Sequence, residues 1–137
     1  MSRPPASHPT ELELEILKII WRNGPASVRT VRDALAGTRP LAYTSVMTIM
    51  TIMTRKKYLR RRKVDGAFTY TAIVTEHATL GGMLKDLIHR VFNGSTAAVM
   101  QNLLTNDLDP EELKQLKKLI DEKADAEREI HGRREIQ

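Results

Sequence analysis

Seven of the nine residues from Arg55 to Lys63 are basic, and they follow a stretch, Leu41 to Thr54, that carries no charge and repeats Met-Thr-Ile in register. Guanidinium and ammonium groups at that density suit one kind of chemistry, the neutralisation of a polyanion. Thr44, Thr48 and Thr51 precede them at spacings of four and three, which place hydroxyls and methyls on one helix face. Catalysis has no comparable foothold. His8, His77, His89 and His131 fall in four separate segments with no metal-ligand spacing, and the chain has no cysteine to serve as nucleophile, thiolate ligand or disulfide. His89 lies beside an apolar stripe and reads as a surface or interface residue. We therefore expect neither an enzyme nor a metal site, cofactor or small-molecule substrate.

Local signals lay out the framework that carries these residues. Residues 1–9, with three prolines, read as a flexible leader. Thr10 opens a helix with a capping box closed by Glu13, and Ile16, Leu17, Ile20 and Trp21 form its apolar face opposite Glu11, Glu15, Lys18 and Arg22. Gly24 and Pro25 stop it. Ser27 starts a second short helix with Val28, Val31 and Leu35 inward, and a third should run from about Ala42 to Lys57. Two β-favouring runs then flank Asp65-Gly66, a dipeptide suited to a tight hairpin. Three short helices followed by a basic hairpin is the element order of a winged helix-turn-helix.

From Thr75 the chain is helical again. Leu80, Met83, Leu84, Leu87, Ile88 and Val91 make one apolar stripe, broken by Asn93-Gly94-Ser95, and a short helix spans about Thr96 to Leu104. Asp109, Pro110 and Glu112 start a last helix whose apolar side is Leu113, Leu116, Leu119 and Ile120. From about Lys123 the residues are almost wholly charged and are expected to fray. These stripes are too few to enclose a core alone, so a homodimer is expected, with Leu84, Leu87, Ile88, Val91, Leu113, Leu116 and Ile120 at its interface. The expected organisation is a leader (1–9), a winged-helix DNA-binding domain (10–75), a helical dimerisation domain (76–122) and a charged tail (123–137). The fold class is mainly α with a small β-hairpin wing.

On a wheel of about 100° per residue, Val46, Ile49, Met50 and Met53 share the side of the third helix that packs inward. Thr44, Thr48, Thr51 and Arg55 take the opposite side, with Met47 and Thr54 on one edge and Ser45 and Ile52 on the other. Threonine is a mediocre helix former, so a ladder of it is a poor choice for a merely solvated face. It suits a helix set into the major groove of duplex DNA, where the hydroxyl meets base edges or phosphates and the methyl meets thymine. Expected base readers are Thr44, Ser45, Met47, Thr48 and Thr51; Arg55, Lys56, Arg60, Arg61 and Arg62 are expected to hold the backbone. Tyr43 either reaches a phosphate or packs. Along the first wing strand Arg60 and Arg62 share one face, Arg61 and Lys63 the other.

Charge distribution agrees. Residues 1–75 hold 13 Lys and Arg against 5 Asp and Glu, a surplus of +8, whereas residues 76–137 hold 9 against 12, a balance of −3. No apolar run approaches the roughly 18–20 residues that span a bilayer, and the N-terminus lacks the apolar stretch of a signal peptide, so a cytoplasmic protein is the default. Double-stranded DNA is favoured over RNA, because A-form RNA has no accessible wide major groove and aromatic residues for stacking are few. A nonspecific architectural DNA binder would use the same basic wing, and a specificity ratio separates the two.

Two segments carry a resemblance. "TELELEILKIIWRNGPASVRTVRDAL…LAYTSVMTIM" and "VFNGSTAAVMQNLL…LDPEELKQLKKLI" resemble the penicillinase and methicillin-resistance repressors, the BlaI/MecI family, over about residues 9–122. The resemblance implies a homodimeric winged-helix repressor on a palindromic operator, with the rear helices as dimer interface. It also implies a membrane-bound metalloprotease sensor as partner, and relief of repression by cleavage at the positions of Asn102 and Leu103. Leucine stands there where the family has phenylalanine. Ile52 and Met53 replace an Arg-Leu pair, and Lys57 stands where the family has a helix-ending glycine.

Overall fold

The structure, a computed structural model, describes residues 8–106 and 108–136; of the expected leader, residues 1–7 lie outside the described residues. Its elements are α1 (Glu11–Asn23), α2 (Val28–Leu35), α3 (Tyr43–Arg55), β1 (Leu59–Val64), β2 (Ala67–Ala72), α4 (Glu76–Val91), α5 (Thr96–Thr105) and α6 (Pro110–Ile136). The chain divides into two compact units between Asp86 and Leu87, inside α4.

In the first unit the caps do what their residue types allow. The Thr10 side chain accepts from the Glu13 N–H, and the Glu13 carboxylate accepts from the Thr10 N–H, so both ends of the capping box are closed. Ser27 caps α2 through the Thr30 N–H at 3.1 Å. The core is the sum of the inward stripes: Ile16, Leu17 and Ile20 from α1, Val28, Val31 and Leu35 from α2, Val46, Met50 and Met53 from α3, and Leu59 and Tyr70 from the hairpin.

β1 and β2 pair antiparallel with Val64 opposite Ala67, and the turn residues Asp65 and Gly66 have φ of 50° and 82°. That is the left-handed pair a two-residue hairpin requires. Ala26 adds a bridge to the outer edge of β2, exchanging two backbone hydrogen bonds with Tyr70 at 3.0 and 2.8 Å. Trp21 Nε1 donates to the Val74 carbonyl at 3.0 Å, tying the exit of the hairpin to α1. His8 Nε2 lies 2.9 Å from Asp86 Oδ2, which holds the described start of the chain against α4.

The second unit comprises the end of α4, then α5 and α6. Asn93 and Gly94, both left-handed at φ of 52° and 81°, turn the chain before Ser95 caps α5. Asp109 accepts from the Glu112 N–H at 2.8 Å to cap α6. No described residue of α5 is buried, and Leu87, Val91, Leu119 and Ile120 are all exposed. One expectation is corrected here. The chain past Lys123 does not fray but continues α6 to Ile136. That stretch is rich in Glu, Arg and Ala, good helix formers, and ion pairs Lys123–Glu127 and Asp125–Arg128 link successive turns.

Candidate nucleic-acid interface

α3 divides as its wheel dictates. Val46, Met50 and Met53 are fully buried, whereas Tyr43, Thr44, Ser45, Met47, Thr48, Thr51 and Arg55 are exposed or half-exposed on the outer side. Ala42 occupies the N-cap position and has no side chain to cap with, so the amides of the first turn are left to an outside acceptor. Tyr43 is 45% exposed.

The threonine hydroxyls are less available than their exposure suggests. Thr48 Oγ1 donates to the Thr44 carbonyl at 2.9 Å, Thr51 Oγ1 to the Met47 carbonyl at 2.8 Å, and Thr54 Oγ1 to the Met50 carbonyl at 2.8 Å. Each bonds back to its own helix, as mid-helix threonines often do.

The wing brings a second surface alongside. Leu59, Arg61 and Lys63 alternate with Arg60 and Arg62, and the buried Leu59 and Tyr70 mark the odd-numbered face as the one turned toward the helices. Arg61 therefore points along the gap between wing and α3, where its guanidinium lies 4.2 Å from the centroid of the Phe68 ring. A groove results, lined by Met47, Thr51, Ile52 and Arg55 from α3 and by Arg61 and Phe68 from the wing. Arg60 and Arg62 stand exposed on the other face of β1.

Sequence reasoning placed Ile52 at the edge of this surface but did not single out Phe68 as part of it. The signal for Phe68 was present: a two-residue turn at Asp65-Gly66 sets Lys63 opposite Phe68 and places the ring diagonally beside Arg61.

Lys56 is engaged elsewhere. Its Nζ lies 3.0 and 3.2 Å from the two carboxylate oxygens of Glu13, a residue only 4% exposed. The glutamate that closes the α1 capping box thereby anchors the end of α3. Tyr58 adjoins this pair; burial, and then the Glu13 carboxylate, raise its phenol above the ordinary range, while the Lys56 ammonium pulls it down. On the other flank of α1, Arg39 forms ion pairs with Glu15 at 2.9 Å and Glu11 at 3.7 Å.

The C-terminus of α3 closes with paired hydrogen bonds, Tyr58 N–H to the Met53 carbonyl at 2.9 Å and Lys57 N–H to the Thr54 carbonyl at 3.1 Å. This Schellman geometry needs a left-handed residue at its turn, and Lys57 supplies it with φ of 67°.

In the second unit, Asn102 and Leu103 lie exposed within α5. The Asn102 carbonyl accepts from the Asn106 N–H and side-chain amide at 3.1 and 2.9 Å, and from Thr105 Oγ1 at 3.1 Å. Of the expected interface residues, Leu84, Leu87, Val91, Leu113 and Ile120 are exposed, and Ile88 and Leu116 are half-buried.

Three helices packed on one core, a two-stranded wing and an outward third helix flanked by arginines define a winged helix-turn-helix protein. Comparison with known proteins narrows the class: the chain belongs to the penicillinase repressor family, whose model matches residues 9–122. It is 25% identical to the penicillinase repressor of Bacillus licheniformis over 121 residues, 88% of this chain and 94% of that one. Identity to the methicillin resistance regulatory protein MecI of Mammaliicoccus sciuri is 24%, over 81% of this chain and 91% of the relative. Among solved structures, the monomeric form of Bacillus licheniformis BlaI in complex with the blaP half-operator matches with a TM-score of 0.45 and 25% identity, over 56% of this chain and 90% of that one.

Proposed function

We propose that this protein is a sequence-specific DNA-binding transcriptional repressor that acts as a homodimer on a palindromic operator. The observation that carries the reading is the exposed face of α3, set beside a groove flanked by Arg55 and Arg61. Membership of the penicillinase repressor family supports it. In this reading α3 enters the major groove, with Thr44, Ser45, Met47, Thr48 and Thr51 against base edges and Tyr43 and the first-turn amides near a phosphate. Arg55, Arg60, Arg61 and Arg62 hold the backbone. Lys56 contributes chiefly by fixing the end of α3 on Glu13.

Two copies, paired through the exposed leucines, isoleucine and valine of α4 and α6, would set their α3 helices one helical turn apart, about 34–36 Å. Repression then follows by occlusion in the cytoplasm, without catalysis or cofactor. Release would follow cleavage between Asn102 and Leu103 after a signal from a membrane-bound metalloprotease sensor, as the family resemblance suggests. Because that peptide lies in α5, the helix must unwind locally before a protease can seat it as an extended strand. Cutting there separates the DNA-binding half from α6, and each half-site then loses the effective concentration that the linked dimer provides.

The test is a pair of variants titrated on duplex from upstream of the protein's own gene and on random duplex, at fixed salt. Thr48→Ala should narrow the preference for the first duplex, and Arg61→Ala should weaken binding to both alike. Equal effects of the two changes on both duplexes would overturn this division of labour.

A further inference from the structure

Resting on the reading that α3 enters the major groove, we propose that the operator is recognised mainly through the C5 methyl groups of its thymines, with Thr48 and Thr51 as the reading residues. A hydroxyl has one proton, and at both positions it is donated to the backbone, Thr48 to the Thr44 carbonyl at 2.9 Å and Thr51 to the Met47 carbonyl at 2.8 Å. Neither side chain has a proton left for a phosphate oxygen, for N7 or O6 of guanine or for O4 of thymine. Each still offers a methyl group and hydroxyl lone pairs.

The rest of the face narrows the choice further. Between Leu41 and Thr54 there is no Arg, Lys, Asn, Gln, Asp or Glu, so the two-pronged hydrogen bonds that single out guanine or adenine are unavailable until Arg55. Met47 and Ile52, 41% and 36% exposed, flank the threonines with more apolar surface. In the major groove the thymine methyl is the apolar group on a base edge, and the adenine paired with it presents an N6 amino donor. A back-bonded threonine presents its methyl to thymine while its hydroxyl is already partnered within the helix. The surface therefore selects A·T pairs by shape and apolar contact.

The experiment enriches preferred duplexes from a random library with the full chain, then replaces thymine by uracil at single positions of the winner. Uracil removes the methyl and keeps every hydrogen-bonding group. Each contacted thymine so replaced should weaken binding roughly threefold to fivefold, the worth of one buried methyl group. Thr48→Val, which keeps the methyl and discards the hydroxyl, should bind the thymine duplex nearly as well as the parent. Thr48→Ser, which keeps the hydroxyl, should bind more weakly and cease to distinguish thymine from uracil at one position per half-site. The reverse order, with Ser retaining affinity and Val losing it, overturns methyl readout, as does an enriched duplex indifferent to uracil throughout. Failure to enrich any sequence would instead overturn the reading of a sequence-specific repressor, and this inference with it.

Discussion

Lys57 holds a backbone conformation that a lysine adopts only under constraint. At φ of 67° it closes the Schellman motif that ends α3 and turns the chain into the wing. A left-handed residue with a Cβ costs about 1–2 kcal/mol, which glycine avoids. Glycine in turn gives the unfolded chain more freedom, an opposing effect of about 0.4–1 kcal/mol. The lysine charge adds its own small favourable interaction with the helix C-terminus, so the clean comparison is Lys57→Gly against Lys57→Ala, both uncharged. The glycine variant should exceed the alanine variant by about 1 kcal/mol, the difference of those two effects. For a unit of this size that is a melting shift of roughly 4–8 °C. Thermal and urea unfolding followed by circular dichroism read it directly. A glycine variant no more stable than the alanine variant would refute the claim that strain is held at this turn.

Three further outcomes follow from the first unit. Lys56→Met strands a buried Glu13 carboxylate and should lower stability by about 1–3 kcal/mol, with Glu13→Gln less damaging in a urea titration because the amide still accepts from Thr10. Gly81 and Gly82 lie inside α4 with open space where a Cβ would go, so Gly81→Ala and Gly82→Ala should each raise stability by about 0.5–1 kcal/mol; a loss at either would reveal a close neighbour. Because the Tyr58 phenol is raised in the folded state, the unfolded chain ionises first and stability should fall as pH climbs past about 10. Tyr58→Phe should remove that part of the alkaline decline, and an unchanged slope would assign it elsewhere.

The elements of the first unit are legible in the sequence because each is announced locally. Thr10 with Glu13, Ser27 with Thr30, and Asp65-Gly66 all act within four residues, and the wheel of α3 separates Met50 from Thr48 without outside information. What stays hidden depends on distant partners. Lys56 belongs to the same basic run as Arg55, and only the packing of α1 against α3 brings Glu13 within 3.0 Å of it. The back-bonding of Thr48 and Thr51 is likewise open to choice, since a hydroxyl on a helix can turn outward or to its own backbone. Past Lys123 the apolar stripe ends, which suggests an end to the helix, yet side-chain ion pairs and propensity continue α6 without one.

The groove between α3 and the wing also explains how a small surface could both hold and read. Arg61, its guanidinium 4.2 Å from the centre of the Phe68 ring, is already held by a cation–π contact before any ligand arrives, which lowers the entropy lost on binding. In the proposed reading, the methyl-rich face next to it supplies discrimination that a point charge lacks.

The proposed function stands or falls on whether a pair of chains prefers one DNA sequence. A competition gel-shift decides it, with the full chain on duplex from upstream of its own gene and random duplex of equal length as competitor at fixed salt. We expect a preference of several hundredfold or more, saturating at two chains per site. Equal competition by random duplex would rule out sequence-specific repression and leave the wing as a nonspecific clamp.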